Sequence, residues 1–325
     1  MRITALAPLV CSIAAFILGM LCLFAGHKPG FLEDYHIVTL NTSTLGYNLV
    51  PTTTASGAAA ATPTSLLSWI EEEAKNITSE IENEFETELN NIAGDIADKL
   101  ASELGIDQWY SLHLMDYCEG TYSPNATAKG AKKNVTSCSK QTAMYHFDIT
   151  QTIDDQLHLG KYNISLTDID WSDKLQDGIN ALNVAMDATF VLYAIGIAAA
   201  GLAILTSLIA FFLHGSRLIS FGNWGLASIA FIAFLICSII ITIVQKKFTS
   251  IINKYGNDIG LYAHRGSKYL VITWVATAVM FLAMVAWVVE FCIGRKKRSR
   301  EYTEKRSGGW RHRRSDESAL RRSGV

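Results

Sequence analysis

The chain has 325 residues, half of them hydrophobic, with a mean hydropathy of +0.21. Only 18% are charged, against roughly 25% in an ordinary soluble domain. That composition excludes collagen and a fully disordered chain, and six cysteines in 325 residues exclude a disulfide-dense miniprotein.

The net charge of −2 hides two opposed ends. Residues 26–187 hold 9 Lys+Arg against 24 Asp+Glu, whereas 294–325 hold 12 against 4.

A membrane-spanning helix needs about 20 mostly apolar residues. The first such stretch is Ile3–Ala25, within a first segment of 1–25. Its apolar run exceeds the 7–15 residues of a signal-peptide core, so it reads as an uncleaved anchor rather than a signal peptide. Three more follow, at Ala188–Leu213, Leu226–Val244 and Tyr269–Ile293. The expected fold class is therefore a mainly α membrane protein. It is a four-helix transmembrane bundle carrying a small extracellular β-sheet with amphipathic helices.

Orientation follows from the basic residues. Arg295, Lys296, Lys297, Arg298 and Arg300 come directly after the fourth span, which places the tail 294–325 and both termini in the cytosol. The loop at 245–268 should then be extracellular, although it carries Lys246, Lys247, Lys254, Arg265 and Lys268. Five glycosylation sequons, at Asn41, Asn76, Asn125, Asn134 and Asn163, decide the question. All five fall within 26–187, the predicted outer segment.

That segment has parts. His36–Leu40 is β-prone. Residues 51–64, rich in Thr, Ala and Pro, read as a linker that O-glycans could decorate. Residues 68–104 read as one long helix, opened by a capping box at Ser68 and Glu71. Ile70, Ala74, Ile77, Ile81, Phe85, Leu89, Ile92, Ile96, Leu100 and Leu104 form its apolar stripe. The opposite face is acidic, with 11 Asp+Glu against 2 Lys. The stripe either packs on the rest of the ectodomain or pairs with a partner helix. Residues 109–150 return to strand character, in Trp109–Met115 and Met144–Thr150. Leu166–Met186 is an amphipathic helix that runs into the second span, with Ile169, Leu175, Ile179, Leu182 and Met186 on one side.

Cysteines sort by compartment. Cys118 and Cys138 are the two outside the spans and their edges, so an oxidising compartment pairs them and closes the β region. Cys11, Cys22 and Cys237 are small apolar fillers within spans. Cys292, at the cytosolic edge beside the basic run, is either a packed cysteine or a candidate for S-palmitoylation.

Catalytic signatures are missing from the sequence: no GxSxG, HExxH, P-loop or dinucleotide fingerprint occurs. The eight histidines show no metal-ligand spacing, so no catalytic residue, metal site or cofactor is expected. The span interiors hold almost no ionisable groups, which disfavours a transporter or channel. Gly196 and Ala200 make a small-xxx-small pair that suits packing within the bundle or between copies. The basic tail fits the anionic inner leaflet, at about 1 kcal/mol per Lys or Arg near the surface. Serines beside its basic residues suit basophilic kinases, whose phosphates would weaken that contact. Nucleic acid is not an expected partner of a tethered tail.

Several segments together resemble a known family. They are Leu21–Gly26, Asp34–Ser43, Trp109–Gly120 with Tyr117, Cys118, Glu119 and Gly120, the second cysteine at Cys138, and Trp171. The chain resembles the claudin-like superfamily and, more closely, the fungal Sur-seven/PalI family, over about residues 1–293. It departs from the animal claudin Gly-Leu-Trp pattern, so tight-junction function does not carry over. The resemblance implies a multi-pass plasma-membrane protein of fungi that organises cortical membrane domains of the eisosome type. Effects on endocytosis, cell-wall synthesis and sporulation are implied with it. Self-association and contact with other cortical membrane proteins would be the means. Its PalI branch implies the alternative, an accessory that stabilises a receptor in ambient-pH signalling.

Overall fold

The computed structural model describes residues 6–45, 106–124, 126, 130–148, 150–152, 154–155, 172–212, 217–290 and 292. The expected linker 51–64, acidic helix 68–104 and basic tail 294–325 lie outside the described residues. So do the sequons at Asn76, Asn125 and Asn163.

Among the described residues four helices are long and apolar enough to cross a membrane. They are α1 (Leu6–Phe24), α2 (Asp173–Phe212), α3 (Arg217–Tyr255) and α4 (Ser267–Glu290). Five short strands accompany them: β1 (Val38–Asn41), β2 (Trp109–Leu112), β3 (Tyr117–Ser123), β4 (Lys132–Cys138) and β5 (Tyr262–Arg265). The strands make one antiparallel sheet in the order β4-β3-β2-β1-β5.

The chain forms two compact units. One consists of residues 1–17, 196–232 and 276–325. Its buried positions are mostly small: Ala15, Ala199, Ala200, Ala203, Ala227, Ala230 and Ala283, with Ile197, Met280 and Trp287 as larger exceptions. Small side chains let helix backbones approach closely where no hydrophobic effect separates helix from lipid. Gly201 illustrates this, since a Cβ there would sit 3.4 Å from the Phe16 ring. A side-chain hydrogen bond from Thr206 to Asn223 ties α2 to α3 in the same unit.

The other unit consists of residues 18–195 and 233–275 and carries the sheet. On α2, Leu175, Ile179, Leu182 and Met186 are all buried, the face expected from their spacing. Gly178 brings α2 against α3, where a Cβ would lie 3.0 Å from Ile251. A hydrogen-bonded group links three helices: Tyr193 to Thr273 at 2.5 Å and Ser238 to Thr273 at 3.1 Å. Tyr269 adds a bond from its hydroxyl to the Cys22 carbonyl at 3.3 Å. Buried hydroxyls in an apolar setting require such partners.

The outward faces of the helices remain apolar. Val10, Ile13 and Ile17 on α1, Leu202 and Leu205 on α2, Ile229 and Ile232 on α3, and Val271 and Val275 on α4 are all exposed. Apolar surface on that scale marks contact with lipid.

Two sequence readings are corrected. Met144–Thr150 is not a strand among its described residues. Met144 has φ +53°, outside the β region. The backbone bonds of Phe147 go to a helix side chain instead. Its N–H donates to Asn183 Oδ1 at 2.8 Å, and its carbonyl accepts from Asn183 Nδ2 at 3.0 Å. The region 245–268 is likewise not a simple loop. It holds the last turns of α3, a 3₁₀ turn at Asn257–Ile259, and β5, which completes the sheet against β1.

Candidate functional site

The Trp109–Gly120 block forms a hairpin. Strand β2 pairs with β3 so that Trp109 lies opposite Gly120 and Ser111 opposite Cys118. Trp109 is buried, and its indole N–H donates to the Thr121 carbonyl at 3.0 Å. Its ring covers the glycine. A Cβ on Gly120 would stand 2.8 Å from Trp109 Cζ2 and 2.0 Å from the Asn134 carbonyl oxygen. The β3–β4 register shifts at Glu119/Gly120, a bulge that re-aims the edge strand. Lys133 on that strand places its ammonium 5.3 Å from the Trp109 ring centroid, a cation–π contact.

Cys118 and Cys138 face each other across β3 and β4 and are joined by a disulfide. Cys118 is fully buried. Its sulfur lies 3.3 Å from the Gly26 carbonyl oxygen. A disulfide sulfur has no proton, so this is a packing contact and not a hydrogen bond. Gly26 ends α1 with φ +82°, a left-handed conformation that glycine adopts at no steric cost. A Cβ there would overlap the buried His113 ring at 2.4 Å. The chain segment leaving the first span is thus locked under the disulfide hairpin.

The profile of the SUR7/PalI family matches residues 4–286. The chain belongs to the SUR7/PalI family. Its fold is the claudin-like four-span arrangement, with four long apolar helices and a small antiparallel sheet. No curated protein and no solved structure matches the chain.

Tyr117, in the family block, centres an aromatic cluster with Tyr110 at 6.2 Å, Tyr145 at 6.1 Å and Phe147 at 5.8 Å between ring centroids. Burial raises the Tyr117 hydroxyl above its usual pKa and pushes Tyr145 up to about 12. Glu119 accepts a hydrogen bond from Ser137 Oγ at 2.7 Å.

Sequence reasoning passed over the polar groups beside this hairpin. His113 is fully buried, 3.4 Å from the Ser111 hydroxyl, and burial pushes its pKa down to about 3. It is a neutral imidazole at any physiological pH. His36 is edge-on to it at 6.4 Å and is also lowered by burial. Asp116, fully enclosed at the β2–β3 turn, is pushed up to about 7 by burial, with Gln141 working weakly against that shift. A buried turn aspartate has no local sequence signal, because its burial comes from segments distant in the chain.

The remaining predicted residues sit apart. Asn41 lies on β1, an interior strand of the sheet, and its Oδ1 accepts from the Ser43 N–H at 3.0 Å and the Ser43 hydroxyl at 2.7 Å. Asn134 is exposed on edge strand β4. Cys292 is exposed. Arg295, Lys296, Lys297, Arg298 and Arg300 are outside the described residues. Among the described residues no three His, Cys, Asp or Glu side chains are grouped to hold a metal.

Proposed function

We propose that this SUR7/PalI protein is a non-enzymatic plasma-membrane protein that organises cortical membrane domains of the eisosome type. In this reading it influences endocytosis, cell-wall synthesis and sporulation. The family match across residues 4–286 carries the proposal. The geometry supports it. The site consists of a buried Trp109, a disulfide and a glycine-locked turn, which are devices for holding a rigid outer surface, not for reacting.

Both termini lie in the cytosol in this reading, so the residues before Cys292 end a span there. Arg295, Lys296, Lys297, Arg298 and Arg300 then meet the anionic inner leaflet, and exposed Cys292 is the palmitoylation site. Lateral self-association of the spans, across their exposed apolar faces, and of the ectodomain concentrates copies into patches.

The test is live imaging of the protein with a fluorescent tag after Val325. Immobile cortical patches that recover slowly after bleaching are expected. Diffuse, fast-recovering signal over the whole membrane would reject the organiser reading.

One observation favours the second reading, an accessory in ambient-pH signalling that stabilises a membrane receptor. Asp116 is enclosed at the β2–β3 turn, and burial pushes its carboxyl up to about 7. Growth failure of a deletion strain confined to alkaline medium, with cortical patches intact, would promote it.

A further inference from the structure

Helix α3 continues well past its apolar run, which ends at Val244. Its last turns carry two faces. Gln245, Phe248 and Ile252, at i, i+3 and i+7, are buried. Lys246, Thr249, Ser250 and Asn253, at i, i+3, i+4 and i+7, share the neighbouring face. That face and Arg265 of β5 line a cleft of about 360 Å³.

Two side chains of α3 clamp β5 in place and so build the cleft. Asn253 accepts from the Ala263 N–H at 2.7 Å and donates to the Ala263 carbonyl at 3.1 Å. Gln245 donates to the Gly266 carbonyl at 3.2 Å. The backbone on either side of Arg265 is thereby held against α3, and Arg265 lines the cleft together with Lys246. Within the cleft the Thr249 hydroxyl is buried and has no hydrogen-bond partner.

Among the described residues no acidic side chain pairs with the cations of this cleft. None of the five lining residues is acidic. Two nearby cations are already engaged: Lys268 pairs with Asp34, and Lys254 lies over the Tyr255 ring at 5.0 Å. Lys246 and Arg265 have no ion-pair partner among the described residues. Two like charges held in one cleft, with hydroxyl donors between them, match a multi-oxygen anion.

Position selects the kind of anion. With a rise of 1.5 Å per residue, Lys246 stands about 3 Å beyond Val244 and Asn253 about 13 Å beyond it. The headgroup layer begins where the hydrocarbon core ends and is about 5–7 Å deep on each side. The Lys246–Thr249 end of the cleft therefore lies at the level of lipid phosphates. We propose that Lys246, Thr249, Ser250 and Arg265 form a phosphate-binding site that takes the headgroup of an anionic phospholipid from the leaflet on the sheet's side. Lys246 and Arg265 bind the phosphate oxygens, and the Thr249 and Ser250 hydroxyls donate to them. Any lipid contact of the C-terminal basic tail is a separate matter, at other residues.

The full-length protein in detergent is titrated with phosphatidylinositol, with phosphatidylcholine and with inorganic phosphate, and bound species are read by native mass spectrometry. Phosphatidylinositol should bind well above phosphatidylcholine. The double variant K246A/R265A should bind it about thirtyfold more weakly, two surface cations' worth. K246R/R265K keeps both charges and should retain binding, and K132A/K140A, altered at two exposed lysines elsewhere on the domain, should bind like wild type. Unchanged phosphatidylinositol binding by a well-folded K246A/R265A protein would overturn the site. So would equal binding of the two lipids. Displacement of phosphatidylinositol by inorganic phosphate at matched concentration would overturn the lipid as its source and leave free phosphate as the ligand.

Discussion

Trp109 and Gly120 face each other across β2 and β3, and the indole occupies the space that any side chain at 120 would need. Gly120→Ala should therefore fail on two sides at once, against the Trp109 ring and against the Asn134 backbone. Overpacking of this kind costs about 1–3 kcal/mol, more where backbone must yield. Purified G120A protein should show a lowered melting temperature and altered indole fluorescence. A melting curve equal to wild type would show that the strands separate easily.

The glycine after the first span offers a second test. Gly26→Ala places a Cβ in the His113 ring and forces alanine to φ +82°. Loss of folded protein is expected, seen as poor recovery from gel filtration. The double change Gly26→Ala, His113→Ala should recover only part of it, because the backbone strain remains.

Closing a loop of 20 residues, the Cys118–Cys138 disulfide contributes roughly 3 kcal/mol by the chain-entropy argument. Cys118→Ser should expose Cys138 to membrane-impermeant thiol reagents on intact cells. The same reagents should leave wild type unlabelled at that position. Absence of new labelling at Cys138 would sink the pairing.

Asp116 makes stability depend on pH. Its folded pKa of about 7 lies above the unfolded value of 3.8. Its contribution is thus full below pH 4 and is lost as pH rises through 7. Wild type should become less stable relative to Asp116→Asn across that window, by on the order of 2–4 kcal/mol. Melting temperatures of both proteins between pH 4 and pH 8 measure it. Parallel curves would assign the carboxylate an ordinary pKa.

The two described sequons should behave differently when removed. Asn134 is exposed on the edge strand, so Asn134→Gln should raise gel mobility by one glycan and leave the fold intact. Asn41 holds Ser43 through its side-chain oxygen on an interior strand of the sheet. Asn41→Gln should lower the melting temperature even after enzymatic deglycosylation. Equal melting of N41Q and wild type would remove that structural role.

The sequence made the helices legible because their apolar runs are long and local. Leu175, Ile179, Leu182 and Met186 were readable as a buried face for the same reason. The Trp109–Gly120 block was recognisable as a motif, but not as a cross-strand lock, since that needs the register. Met144–Thr150 misled because alternation alone says nothing about where backbone bonds go, and here Asn183 receives them. β5 was missed because four residues after a basic stretch carry too little pattern, and the partner strand is far away in the chain. The surplus of Lys and Arg at 245–268 was visible and read only as a conflict in orientation. In the structure, two of those residues line one cleft.

Strand β1 sits between β2 and β5, and β5 is made only after α3 has been synthesised. Assembly at the ribosome is therefore ordered. The sheet cannot close until three of the four long apolar helices have been made, so helix insertion and sheet folding are one coupled event. A secreted fragment ending before the second span would present β1 with a vacant edge, and such edges recruit other chains. Reagents raised against that fragment would meet a surface that the finished protein keeps covered.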